Sequence, residues 1–81
     1  MRSFIIEHNG EEFECREFYT PGLGGGVLIK EHPRGKIIGE MYDIILPYYA
    51  WEYDDEEEYK EDIKYFKENL QKFLEENGYY Y

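Results

Sequence analysis

Residues 2–19 read Arg-Ser-Phe-Ile-Ile-Glu-His-Asn-Gly-Glu-Glu-Phe-Glu-Cys-Arg-Glu-Phe-Tyr, and this stretch decides the fold. Two β-favouring runs flank Asn9-Gly10, the dipeptide preferred in a two-residue type I′ turn, because both central residues of that turn take positive φ. The turn sets the register: His8 faces Glu11, Ile6 faces Phe13, Phe4 faces Cys15 and Arg2 faces Glu17. Phe4, Ile6, Phe13 and Cys15 then share one face, while Ser3, Glu7, Glu12, Glu14 and Arg16 share the other. Only Ile5 breaks the alternation. Turn chemistry and hydrophobic period agree independently, as they should in a hairpin.

Outward from the hairpin, residues 20–26 (Thr-Pro-Gly-Leu-Gly-Gly-Gly) read as a flexible glycine-rich loop. Residues 27–46 read as a second strand pair, 27–31 and 36–46, joined across His32-Pro33-Arg34-Gly35, where Pro and Gly supply turn geometry. Gly39 inside the last strand suggests a bulge or bend, and Pro47 is expected to end it. Residues 54–77 show helical period, with Tyr59, Ile63, Phe66, Leu70, Phe73 and Leu74 on one stripe. Asp54 or Asp55 is the expected N-cap, with Glu57 or Glu58 closing a capping box. Asn77-Gly78 supplies the stop, followed by the tail Tyr79-Tyr80-Tyr81. The expected class is α+β: one domain in which two hairpins form a small antiparallel sheet packed against one long C-terminal helix.

Composition excludes several functions. The 81 residues carry 19 acids against 9 Lys and Arg, a formal charge of −10, and 16 of them are aromatic. Binding DNA, RNA or an anionic membrane needs Lys and Arg to displace counterions, so such partners are excluded and basic ones favoured. The aromatic content separates the chain from disordered acidic tails. No run approaches the roughly 20 apolar residues of a membrane helix, the N-terminus lacks signal-peptide character, and the single Cys15 has no disulfide partner. These features predict cytosolic residence.

Catalysis finds little support. Cys15 and His8 share a face but lie two pairs apart, about 13 Å along the strand, beyond the hydrogen-bond reach of a nucleophilic dyad. Cys15 reads as a small core residue and His32 as a turn residue. No zinc-ligand spacing occurs. Asp54, Glu56 and Glu58 mimic positions 1, 3 and 5 of a calcium loop, but Tyr59 and Tyr65 stand where Gly and Glu are required. Gly22 to Gly26 lack the Lys-Ser/Thr of a phosphate-binding loop. The expectation is a non-enzyme with no metal and no cofactor.

The charge is uneven. Residues 1–51 hold 8 acids and 5 Lys/Arg, whereas residues 52–81 hold 11 acids and 4 Lys. Most of the excess sits in Glu52, Asp54, Asp55, Glu56, Glu57, Glu58, Glu61 and Asp62. On the helical wheel Glu57, Glu58, Glu61 and Asp62 point away from the apolar stripe, with Tyr65 beside them, so these acids together with Tyr53 and Tyr65 are the candidate partner contacts. Lys60, Lys64 and Lys72 can pair with acids at i±4, and with Lys67 they support a plain solvated face. Yet like charges this dense repel one another and cost stability, while their field steers association with basic clefts. The segment Trp51 to Asp62 resembles the acidic, tyrosine-containing stretch of small phage-encoded anti-CRISPR proteins that block the DNA-recognition cleft of an RNA-guided nuclease. In size, charge and Tyr content the chain is similar to phage DNA-mimic inhibitors. The resemblance covers about 12 of the 81 residues and implies that Glu52, Asp54, Asp55, Glu56, Glu57 and Glu58 stand in for phosphates or base-edge acceptors facing Arg and Lys. Two other readings stand beside it. One is an immunity protein or antitoxin of a basic nuclease. The other is an assembly module using Tyr48, Tyr49, Tyr79, Tyr80 and Tyr81 for homo-oligomerisation.

Overall fold

The computed structural model describes residues 2–44 and 46–79. It contains a four-stranded antiparallel sheet and one long C-terminal helix, the α+β class. The chain divides into two compact units: residues 1–46 carry the sheet and residues 47–81 the helix.

In the first unit the strands are β1 (Ser3–His8), β2 (Glu11–Thr20), β3 (Gly24–His32) and β4 (Ile37–Tyr42), in the order β1-β2-β3-β4. The β1–β2 register is the one that Asn9-Gly10 dictates, with Phe4 opposite Cys15 and Ile6 opposite Phe13. Asn9 and Gly10 sit at φ 53° and 80°, the pair of positive values a type I′ turn needs. Beyond the ladder, Glu17 N–H donates to the Arg2 carbonyl at 2.9 Å. The Arg2 guanidinium reaches Glu17 Oε1 and the Leu46 carbonyl, both at 2.6 Å. Ile6, Phe13 and Cys15 are buried, and Val27, Ile29 and Met41 continue their face across β3 and β4. Ile5, the residue out of pattern, lies on the opposite face and is 46 % exposed.

The glycine-rich loop expected over 20–26 is much shorter than its composition suggests. Only Pro21, Gly22 and Leu23 form the turn, with Leu23 N–H donating to the Thr20 carbonyl at 3.0 Å. Pro21 precedes Gly22 at φ 87°, the arrangement of a type II turn. Gly24, Gly25 and Gly26 are strand residues paired with Thr20, Tyr19 and Phe18. Glycine weakens a strand unless something close needs its missing side chain, and at Gly26 something does. A Cβ there would stand 2.3 Å from the Met41 carbonyl oxygen and 2.8 Å from Phe18 Cζ. The Phe18 ring lies over this backbone and meets Tyr42 edge-on, with centroids 5.5 Å apart.

The strand expected over 36–46 begins at Ile37 and stops at Tyr42. Asp43, at φ 59°, turns the chain out of the ladder before Pro47 is reached. Ile45 lies outside the described residues. The irregularity expected near Gly39 is present: Ile29 pairs with Gly39 but Lys30 with Ile37, which leaves Ile38 as the extra residue. The turn between β3 and β4 is closed by Gly35 N–H donating to the Glu31 carbonyl at 2.7 Å.

In the second unit, α1 spans Glu56–Glu76. Phe66, Leu70 and Leu74 of the predicted stripe are buried, and Tyr59, Ile63 and Phe73 are half-buried. The helix ends in the Schellman arrangement: Gly78 takes φ 70°, its N–H donates to the Glu75 carbonyl, and Tyr79 N–H donates to the Leu74 carbonyl. Tyr80 and Tyr81 of the predicted tail lie outside the described residues.

The Gly26 environment makes a specific prediction. Gly26→Ala should lower the urea unfolding free energy by about 1–3 kcal/mol, because a backbone oxygen cannot swing aside. Gly25→Ala places its Cβ at an ordinary 3.5 Å from the Phe18 carbonyl oxygen, so its unfolding midpoint should be unchanged or slightly raised.

Candidate partner-binding surface

The acidic segment begins with a compact turn. Ala50–Glu52 form a single turn of 3-10 helix, in which Tyr49 N–H donates to Glu52 Oε2 at 2.8 Å and Tyr53 N–H to the Ala50 carbonyl at 3.3 Å. Tyr49 and Trp51 point the same way from this turn and stack, with ring centroids 4.5 Å apart and planes 4° from parallel. Tyr53 turns inward. Its ring meets Tyr48 and Tyr59 edge-on, its hydroxyl donates to Asp62 Oδ2 at 2.7 Å, and the Tyr53 hydroxyl oxygen itself accepts from Tyr48 N–H at 3.2 Å. Partial desolvation and the bond to Asp62 push the Tyr53 phenol above its usual pKa, opposed by the Tyr48 N–H.

The next step is the helix start. Asp55 is the N-cap, and its Oδ1 accepts from Glu57 N–H at 2.9 Å. Glu56, Glu57 and Glu58 fill the first turn, where carboxylates favour the positive end of the helix dipole. Lys60 lies 3.6 Å from Glu56 and 3.8 Å from Glu57.

This geometry divides the residues that the sequence nominates for partner contact. Glu52, Asp55 and Asp62 hold internal hydrogen bonds, Glu56 and Glu57 share Lys60, and Tyr53 is half-buried. Asp54, Glu58 and Glu61 are exposed, and their carboxylates make no hydrogen bond or ion pair among the described residues. Glu58, Glu61, Asp62 and Tyr65 recur at i, i+3, i+4 and i+7, which puts them on one strip of α1. Tyr65 is 64 % exposed. Missing from that nomination is Trp51, which is 78 % exposed. Its signal was in the sequence, an indole flanked by Tyr49, Glu52 and Tyr53, but its orientation depends on the 3-10 turn.

Other candidate chemistry is confined to the sheet unit. Cys15 is fully buried, and burial, with the Glu14 charge adding to it, pushes its thiol from 9.0 up to about 12. His8 pairs with Glu11 and Cys15 with Phe4, so the two stay separated along the sheet as the register requires. An open groove of about 490 Å³ at the glycine-rich end is lined by Glu17, Phe18, Tyr19, Gly25, Gly26, Asp43 and Ile44, and its Glu17 is already paired with Arg2. Among the described residues no group of three or more His, Cys, Asp and Glu is placed to hold a metal ion, and no helix is long and apolar enough to cross a membrane. No family model, curated protein or solved structure matches the chain.

Two outcomes test these assignments. Asp55→Ala removes the cap and should lower stability by about 1 kcal/mol in urea unfolding. For Cys15, the unfolded chain releases the thiol proton near pH 9.0 while the folded chain retains it to about 12. Stability conferred by this group is therefore complete below pH 9 and falls between pH 9 and 12, by up to about 1.4 kcal/mol per pH unit. The pH dependence of unfolding measured for wild type minus Cys15→Ala should show that slope. A flat difference would remove the assignment.

Proposed function

We propose that this chain is a small acidic inhibitory binding protein, of the kind phages encode, that occupies the nucleic-acid cleft of a host defence nuclease by charge mimicry, as anti-CRISPR and anti-restriction inhibitors do. On this reading it performs no catalysis and acts in the cytosol of the host cell. The supporting observation is the group of uncompensated carboxylates, Asp54, Glu58 and Glu61, exposed at the start of a capped helix. A helix rises about 1.5 Å per residue, so Glu58 and Glu61 stand about 4.5 Å apart along its axis, against about 3.4 Å between successive charges on one DNA strand. The partner is a basic protein, and direct contact with nucleic acid is disfavoured by the same field. An immunity protein facing a basic nuclease toxin would use this surface in the same way.

The test is capture from a lysate containing RNA-guided and restriction nucleases, with and without competing duplex DNA. Recovery of a basic nuclease that DNA displaces is the expected result, and capture insensitive to DNA would sink the proposal. With the captured nuclease, the combined variant Asp54→Asn, Glu58→Gln, Glu61→Gln should bind about tenfold more weakly, since each exposed ion pair contributes about 0.2–1 kcal/mol. Raising the salt should diminish that difference.

A further inference from the structure

We infer that Trp51, stacked on Tyr49, is a docking platform for an arginine side chain of a basic protein partner. The inference rests on the charge reading above and adds to it the chemistry of the contact. Trp51 is 78 % exposed, yet its indole is held parallel to Tyr49 at 4.5 Å between centroids. The turn beneath it is tied by Tyr49 N–H to Glu52 Oε2, Glu52 N–H to the Tyr49 carbonyl and Tyr53 N–H to the Ala50 carbonyl. A large aromatic surface held in place before binding loses little freedom on association, and tryptophan is the residue type most enriched among energetic anchors.

Charge selects the occupant. Residues 52–62 hold eight acids and one Lys, so an incoming group must be cationic. A nucleobase also stacks on indole, but its phosphates meet this field with the wrong sign. Between the two cationic side chains, the guanidinium is planar, weakly hydrated and able to lie on an aromatic face while its edge donors reach carboxylates. The ammonium of lysine keeps its water and gains less from the ring.

Because Trp51 is the chain's single tryptophan, its fluorescence reports on the platform directly. The probes are nona-arginine and nona-lysine peptides of equal charge. Nona-arginine should bind about fivefold more tightly and quench Trp51, while nona-lysine binds with little quenching. In Trp51→Ala, followed by calorimetry, nona-arginine should fall to near the nona-lysine affinity, with nona-lysine unchanged. Trp51→Phe should retain part of the preference, and circular dichroism checks that both variants fold. The triple variant Asp54→Asn, Glu58→Gln, Glu61→Gln should weaken both peptides and keep the ratio. Equal affinity of the two peptides for wild type, or an arginine preference that survives Trp51→Ala, overturns the platform and leaves the charge reading standing. Failure of both peptides to bind overturns both.

Discussion

Phe13 and Cys15 are buried because Asn9-Gly10 holds β2 in one register against β1. Strand side chains alternate with a period of two, so a slip of one residue would bring Glu12 and Glu14 to the buried face and expose Phe13 and Cys15. β2 then transmits the constraint. Its pairing with β3 sets Cys15 opposite Ile29 and Glu17 opposite Val27, and β3 sets Val27 opposite Met41. A single apolar face runs through the whole sheet from one turn. Arg2 reinforces the arrangement at the far end of the hairpin by binding both Glu17 and the Leu46 carbonyl.

The glycine-rich end of the sheet shows a different kind of dependence. Gly24 to Gly26 have poor strand propensity, yet they form nine-residue β3 together with the residues that follow. Pro21-Gly22 makes the turn, and Phe18 covers the backbone that Gly26 leaves bare. A ring from the neighbouring strand thus replaces the contacts that glycine cannot make, and tertiary packing outweighs local preference.

The acidic segment tolerates its charge by dividing it. Some carboxylates satisfy backbone N–H groups at the two turns, one accepts from the Tyr53 hydroxyl, and two share Lys60. The carboxylates left without an internal bond among the described residues are the smaller group of Asp54, Glu58 and Glu61, and Tyr65 and Trp51 are exposed. The internal bonds have a second effect, since they hold the aromatic pair and the helix start in fixed positions. A surface that is ordered before binding directs its field at one place.

Much of the fold was legible in the chain because its signals are local. Asn9-Gly10 specifies the first register, the apolar spacing from Tyr59 to Leu74 specifies a helix, and Asp55 and Gly78 specify its ends. The exposure of the acids and of Tyr65 followed from the same spacing. The extent of β3 and the early end of β4 were not legible, because Gly24 to Gly26 and Asp43 take their conformations from neighbouring strands. Nor was the division of the acids. Glu52 and Asp62 look like their neighbours in sequence, and only the folded turn brings them to Tyr49 N–H and the Tyr53 hydroxyl. The sequence by itself determined the register of the first hairpin, the helix and the excess of acid at the helix start, since each depends on residues close together in the chain. The tertiary structure alone decided which carboxylates stay uncompensated and that Trp51 lies flat on Tyr49, because hydrogen bonds and ring contacts depend on distances that only folding sets.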